Sequence, residues 1–144
     1  RGYDNATLLN YALGEEERAI EMANDSVAEV GYFGTGRNFV SEGALSKSAV
    51  RFTARMRRGS ELFAALERVD FIKCDIEGYE RVVLPELRPL IEKFHPTVLV
   101  ETDGESRQQM IRMFTELGYS AYMLVGGKEV TLNPESDKDI IFRY

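Results

Sequence analysis

The stretch FIKCDIEGYE, from Phe71 to Glu80, begins as an apolar strand and ends in three carboxylates and a glycine. Gly78 lets the backbone turn tightly between a strand and a helix. Ligands of parallel α/β sheets bind beyond the carboxyl ends of the strands, and Asp75 and Glu77 fall at such an end. For Glu80 we favour a simpler role, because the helix dipole favours an acidic residue in a first helical turn. The stretch therefore predicts a strand, a tight turn and a helix, with a polar site at the turn.

Strands and helices alternate through the second half of the chain, which predicts an α/β fold with a mostly parallel sheet in three layers. Pro85 and Pro89 divide the region after Tyr79 into two short helices. Glu101 and Asp103 follow the second strand, so four carboxylates are expected at one rim of the sheet. The strands predicted for the central sheet are Val69 to Cys74, Thr97 to Val100, Tyr119 to Val125 and Asp139 to Arg143, and the helix before the third has an apolar stripe at Met110, Ile111, Phe114 and Leu117.

The first half of the chain has a weaker pattern. Thr7 to Leu13 predicts a strand, Ala19 to Met22 predicts its hairpin partner, and Val50 to Ala54 predicts a further half-buried strand. Residues 24–48 are rich in Gly, Ser and Asn and predict a long flexible loop. Ser60 is the expected N-cap of a short helix.

Length and charge restrict the classes of protein to which the chain can belong. Its 144 residues fit a single domain, residues 1–144. The net charge of −6, without a long basic run, argues against a nucleic-acid binder, and no apolar run is long enough to span a membrane. The one cysteine, Cys74, cannot form an internal disulfide, which favours a cytoplasmic protein. Its apolar surroundings indicate a small core residue and not a reactive thiol.

Val69 to Glu80 resembles the signature of FkbM-type methyltransferases. Pro96 to Glu101 is similar to the next strand of that family, and Ala6 to Gly14 is similar to its third strand. Leu117 to Tyr119 and Asp139 to Phe142 also fit. The resemblance implies a Rossmann-like class I methyltransferase fold with an antiparallel last strand. It also implies that S-adenosylmethionine is used to methylate a hydroxyl group of a sugar or natural product.

The same resemblance implies roles for individual residues. Asp75 is expected nearest the transferred methyl group and the small-molecule acceptor, where it accepts or holds the proton of the acceptor hydroxyl. Glu77 and Glu101 are expected to orient the acceptor or to bind a divalent cation through their oxygens, although no metal site is assigned. Asn10 and Ala12, near the end of the third strand, are expected to border the adenine, with Asp75 also beside the cofactor.

The chain departs from the family at its beginning. In the family, a glycine-rich cofactor loop and a ribose-binding acidic residue precede the third strand, whereas here only a few residues precede it. Asp25 to Gly36 faintly resembles that loop, but Val27 stands in place of its first glycine. We therefore expect a fold truncated at its N-terminus, with weak or no binding of S-adenosylmethionine. We also expect an unpaired edge beside Val69 to Cys74, which favours a homodimer or strand exchange.

Two alternatives to an active methyltransferase stay open. One is a non-catalytic fragment or interaction module of the same fold, and the other is a metal-dependent hydrolase that uses the acidic rim. The chain has one histidine, His95, which lies between Phe94 and Pro96 at a predicted helix end. We expect it to be structural, so the hydrolase has the weaker support.

Overall fold

A computed structural model describes residues 4–24, 38–41, 50–76, 78–136 and 139–144, with the backbone alone at position 39. Within these ranges the chain forms a mixed α/β structure with two sheets and four helices. The first sheet contains β1 (Ala12–Gly14), β2 (Arg18–Asn24), β3 (Asn38–Val40) and β4 (Val50–Arg58). The second contains β5 (Phe71–Cys74), β6 (Thr97–Val100), β7 (Ser120–Val125), β8 (Lys128–Thr131) and β9 (Ile140–Arg143). The helices are α1 (Gly59–Leu62), α2 (Glu80–Glu86), α3 (Arg88–Phe94) and α4 (Gly104–Glu116).

The second sheet has the strand order β5-β6-β9-β7-β8, so the four strands predicted for the central sheet lie together in it. β5 pairs in parallel with β6, and β9 lies antiparallel between β6 and β7, which confirms the antiparallel last strand. β8 is absent from the prediction; it pairs with β7 across a turn at Gly126 and Gly127, and all its side chains are exposed. Three of these strands run in one direction and two in the other. Among the described strands of this sheet only β5 and β6 pair in parallel, so the mostly parallel sheet is not confirmed, and the Rossmann-like three-layer arrangement stays a prediction.

Buried side chains from the second sheet and from α2, α3 and α4 form the core. Two short helices form, as predicted, and they meet at Leu87; Pro85 lies inside α2, and Pro89 lies in the first turn of α3. Proline lacks an N–H and clashes with the preceding turn, which favours a break there. Phe114 of α4 is fully buried and stacks on Phe142 of β9, with ring centroids 4.1 Å apart. α2 and α3 thus form the crossover that the parallel pair of β5 and β6 requires.

The first sheet has the strand order β1-β4-β2-β3 and corrects the prediction for the first half of the chain. The predicted hairpin is wrong, since β1 pairs in parallel with β4, and β2 pairs antiparallel with β4 along its whole length. Of the predicted strand from Thr7 to Leu13, only the last two residues belong to β1. Leu8 and Leu9 are exposed, so burial stabilises no strand there. β4 continues to Arg58, beyond the predicted end at Ala54.

The segment 24–48, predicted as a flexible loop, contains β3, which pairs antiparallel with the end of β2. The side chains of Asn24 and Asn38 are joined by a hydrogen bond of 3.1 Å at this pairing. Residues 25–37 and 42–49 lie outside the described residues, and so does the faint resemblance to a cofactor loop. The loop prediction therefore fails at Asn24, which ends β2, and at β3, and it is untested for residues 25–37 and 42–49.

α1 follows β4 directly and connects the first sheet to the helices of the second. The predicted N-cap is wrong, because Arg58 takes that position and Ser60 lies inside the helix. Ser60 instead donates its backbone N–H to Oε2 of Glu86 at 3.0 Å, and its hydroxyl also donates to Glu86. The Glu86 side chain is only 5% exposed. Gly59 packs so closely against Leu87 that a Cβ added to Gly59 would lie 2.7 Å from Cδ2 of Leu87. These contacts fix α1 against the end of α2.

β5 is the end strand of the second sheet in the described part of the chain, and its Phe71 side chain is 56% exposed. We expect Phe71→Lys to weaken self-association of the chain by about tenfold, because a charge on an edge strand opposes pairing with another chain. Sedimentation velocity over a range of protein concentrations measures this effect. Leu124→Lys is the matched control, since Leu124 is 50% exposed but lies on the inner strand β7. Native chain that sediments as a monomer at high concentration would contradict the predicted homodimer.

Candidate active site

Two carboxyl groups meet at the carboxyl ends of β5 and β6. Asp75 follows Cys74 of β5, and Glu101 follows Val100 of β6, which pair in register in the parallel ladder. The N–H of Glu101 donates to the carbonyl oxygen of Cys74 at 3.0 Å, which extends the pairing past the strand ends. Glu101 also lies close enough to Asp75 to help lower its pKa as a side-chain hydrogen-bond partner. Two carboxyl groups in contact need a proton or a cation near them, because two like charges oppose each other.

These carboxyl groups line a cavity of about 290 Å³, hereafter the acidic cavity. The structure brings together Asp75, Glu101 and Asp103, which are three of the four carboxylates predicted at the rim. The fourth, Glu77, lies outside the described residues. The remaining described residues that line the acidic cavity are Gly78, Glu80, Thr102 and Asp139.

Glu80 is a lining residue that the sequence interpretation assigned only to the helix dipole. Its side chain is 1% exposed. Oε1 accepts a hydrogen bond of 2.9 Å from the N–H of Ile76, and Oε2 is buried without a hydrogen-bond partner among the described residues. One signal for this burial exists in the sequence, because Glu80 has the helical spacing of Val83, Leu84 and Leu87, which are all buried. Glu80 therefore belongs to the buried face of α2.

Asp139 is the second lining residue that was missed. It directly precedes β9, whose first residue, Ile140, pairs with Val100 at the end of β6. An antiparallel strand begins where its neighbour ends. The predicted antiparallel direction of the last strand was therefore enough to place Asp139, at the start of that strand, at the rim.

Lys73 keeps Asp75 ionised. A side-chain hydrogen bond from Lys73 lowers the pKa of Asp75 below its usual value; burial opposes this, and the charge of Lys73 and the hydrogen bond with Glu101 add to the lowering. Burial raises the pKa of the Cys74 thiol to about 12, and the nearby carboxylates of Glu80 and Asp75 add to the rise. Cys74 is therefore protonated near neutral pH, as a core cysteine is.

A larger cavity of about 870 Å³, hereafter the apolar cavity, lies between the two sheets. Its lining is mainly apolar and includes residues of β1, β2, β3 and β5. Asp75 and Gly78 line both cavities, and Gly78 has φ 94°, a conformation that L side chains rarely adopt. Ala12 also lines the apolar cavity, whereas Asn10, the other residue expected near the adenine, is exposed and is not among the lining residues.

A comparison with family models decides the family. The model described as the methyltransferase FkbM domain matches residues 2–121. The chain belongs to the FkbM methyltransferase family. This confirms the resemblance drawn from Val69 to Glu80. No curated protein and no solved structure matches the chain.

The residues matched as an FkbM domain include β5, β6 and the strand ends that carry Asp75 and Glu101, whereas Asp139 and β9 lie beyond them. His95 of the FkbM domain lies at the opposite end of β6, where it caps α3 and stacks on Tyr144 with ring centroids 3.7 Å apart. Among the residues that the structure describes, no three His, Cys, Asp or Glu side chains are placed to share a metal ion. No described helix is both long and apolar enough to cross a membrane.

Proposed function

We propose that this FkbM domain transfers a methyl group from S-adenosylmethionine to a hydroxyl group of a sugar or natural-product-like acceptor. Asp75 carries the proposal, because it borders both cavities. Methyl transfer requires that the methyl donor and the acceptor meet in line at one point. A cofactor in the apolar cavity and an acceptor in the acidic cavity would meet at this side chain.

The protein's part in this reaction is to hold and polarise the acceptor. S-adenosylmethionine, when bound, supplies an electrophilic methyl group. The ionised carboxylate of Asp75 accepts a hydrogen bond from the acceptor hydroxyl and increases the electron density on its oxygen. Because the pKa of Asp75 is lowered, the carboxylate is a weak base, which favours positioning over complete removal of the proton. Glu101, beside Asp75, orients a neighbouring hydroxyl.

The apolar cavity fits part of this cofactor. Its volume lies within the range of small-molecule sites, and Tyr11, Leu13 and Phe63 offer apolar surface to an adenine. Asp75 is the single carboxylate among the described lining residues, and it pairs with Lys73. The described lining offers no second acid to the ribose hydroxyls. We therefore expect S-adenosylhomocysteine to bind weakly, since loss of a charged hydrogen bond lowers affinity by roughly a hundredfold.

Transfer of a labelled methyl group tests the proposal. The chain is incubated with methyl-labelled S-adenosylmethionine above the dissociation constant that calorimetry gives, together with hydroxylated sugars and glycosides. We expect the label on an acceptor oxygen, and no label on the matched acceptor in which that hydroxyl is replaced by hydrogen. Label on a nitrogen or a carboxylate would contradict the proposal. Absence of transfer at saturating cofactor would favour the non-catalytic interaction module.

A further inference from the structure

The acidic cavity has a strongly unbalanced charge. Among its described lining residues there is no Lys, Arg or His. Lys73, which pairs with Asp75, does not line it, and neither does the buried Arg107, which donates to the carbonyl oxygen of Thr102. The described lining therefore favours a ligand that brings positive charge. The carboxyl side chains that line the cavity are Asp75, Glu80, Glu101, Asp103 and Asp139.

Two buried acceptors at this cavity lack donors. Oε2 of Glu80 and Oγ1 of Thr102 are both buried without a hydrogen-bond partner in the part of the chain that the structure describes. Buried polar groups are almost always hydrogen-bonded, so an orphaned acceptor indicates a missing donor. Oε1 of Glu80 is already engaged by the N–H of Ile76. Because Glu80 lines the acidic cavity, a ligand bound there is a candidate donor for Oε2.

The size and arrangement of the cavity favour an organic cation over a metal ion. The described carboxylates do not converge in groups of three on a point that could hold a metal. A volume of about 290 Å³ has room for a small organic group. A primary ammonium group presents three N–H donors that point in different directions, so it can reach acceptors that are spread around a cavity.

We propose that the acidic cavity binds the protonated amino group of an amino sugar, with Oε2 of Glu80 as its buried acceptor. The sugar part of this inference rests on the proposed function. An amino group held by Glu80 brings a neighbouring hydroxyl of the same sugar towards Asp75. The exposed carboxylates of Asp103 and Asp139 attract the cation to the cavity.

Calorimetry without cofactor tests the site separately from methyl transfer. Glucosamine is compared with glucose and with N-acetylglucosamine at a pH where the free amine is protonated. We expect glucosamine to bind at least about tenfold more tightly than either neutral sugar, because charge-assisted hydrogen bonds are the stronger ones. Equal affinities, or no binding of glucosamine, would overturn the proposal. A titration with Mg²⁺ or Mn²⁺ is the second arm: a stoichiometric ion that excludes glucosamine would overturn it in favour of a metal site.

Three variants locate the bound amine. Glu80→Gln is expected to lower the affinity for glucosamine by about tenfold and to leave the affinity for glucose unchanged. Because Glu80 is buried, Asp139→Asn at the exposed rim is the second variant, and we expect a loss of about threefold there. Glu116→Gln, at an exposed position of α4, is the matched control with the same loss of charge and no expected effect.

Two outcomes would contradict the binding of an amino group in the acidic cavity. Native affinity for glucosamine in both Glu80→Gln and Asp139→Asn would overturn the proposal. Methyl transfer to neutral sugars without any preference for amino sugars would also overturn it, and would leave the proposed function standing. Preferential binding of glucosamine without methyl transfer would support the amine site and would contradict the proposed methyltransferase function.

Discussion

Replacement of Asp75 by asparagine is expected to lower the turnover of methyl transfer by about a hundredfold to a thousandfold. Asparagine keeps the size and one acceptor oxygen, but it removes the negative charge that, in the proposed function, holds and polarises the acceptor hydroxyl. The lost ion pair with Lys73 costs little stability, because the Lys73 side chain is 56% exposed. Steady-state kinetics measures kcat, and calorimetry with S-adenosylhomocysteine measures cofactor affinity. We expect the affinity for S-adenosylhomocysteine to stay within about threefold of the native value, since apolar residues supply most of the surface of the apolar cavity.

Asp70→Asn is the matched control, because it makes the same chemical change at the other end of β5. Asp70 is exposed, pairs with Arg68 and lines neither cavity. We expect native turnover in this variant. If Asp75→Asn also keeps native turnover, then Asp75 does not handle the acceptor. If the Asp75→Asn variant loses cofactor affinity in proportion to turnover, then Asp75 acts in the apolar cavity, on the cofactor.

Phe114→Ala is expected to lower the free energy of unfolding by about 3–5 kcal/mol. Phe114 is fully buried, stacks on Phe142, and meets the ring of Tyr119 edge-on with centroids 5.2 Å apart. Its removal leaves a cavity where α4, β9 and the start of β7 meet. Because small domains are stable by only about 5–15 kcal/mol, this variant loses a large part of its stability. Urea unfolding followed by circular dichroism measures the change.

Phe52→Ala serves as the control for the same substitution outside the core. Phe52 lies on β4 and is 41% exposed. Its loss is expected to cost less than about 1 kcal/mol, because little apolar surface returns to water and no closed cavity forms. Equal losses in the two variants would show that the rings around Phe114 do not form the centre of the core.

The second half of the fold was predictable because its signals are local. Pro85 and Pro89 mark the helix break wherever the segment packs, and the apolar strand beginning at Thr97 is bounded by a proline and a carboxylate. Gly118, with φ 85°, follows the end of α4 in a conformation that glycine adopts easily. Each of these signals needs only a few neighbouring residues.

The first half was mispredicted because its pairing is not local. The pairing of Leu13 with Arg57 in a parallel ladder leaves no mark on the alternation of either strand. The pattern around Ala19 is as compatible with a hairpin as with a pairing to β4. β3 has three residues and shows no period, and in the second half the same lack of a period hid β8, which has no buried side chain. Strand propensity is also weak evidence without the packing that decides it.

The site was predictable only where it follows from strand ends. Asp75, Glu101 and Asp103 come together because parallel strands end at the same edge. Glu80 was missed because the helix dipole already explains an acidic residue in a first helical turn. The burial of Glu80 depends on tertiary packing, which the local sequence does not show. The apolar cavity depends on how two sheets pack together, which no short stretch of sequence records.

The shared position of Asp75 makes the two cavities thermodynamically linked. A ligand in the apolar cavity changes the field at this carboxylate, and the carboxylate in turn changes the affinity of the acidic cavity. By reciprocity, each ligand alters the binding constant of the other by the same factor. In the proposed reaction, a cationic methyl donor and a cationic acceptor would repel each other across this point, and the negative charge of Asp75 between them would offset that repulsion. If methyl transfer proceeds as proposed, loss of the sulfonium charge would change the affinity of the acidic cavity for its ligand, so that the chemical step itself would adjust the release of the product.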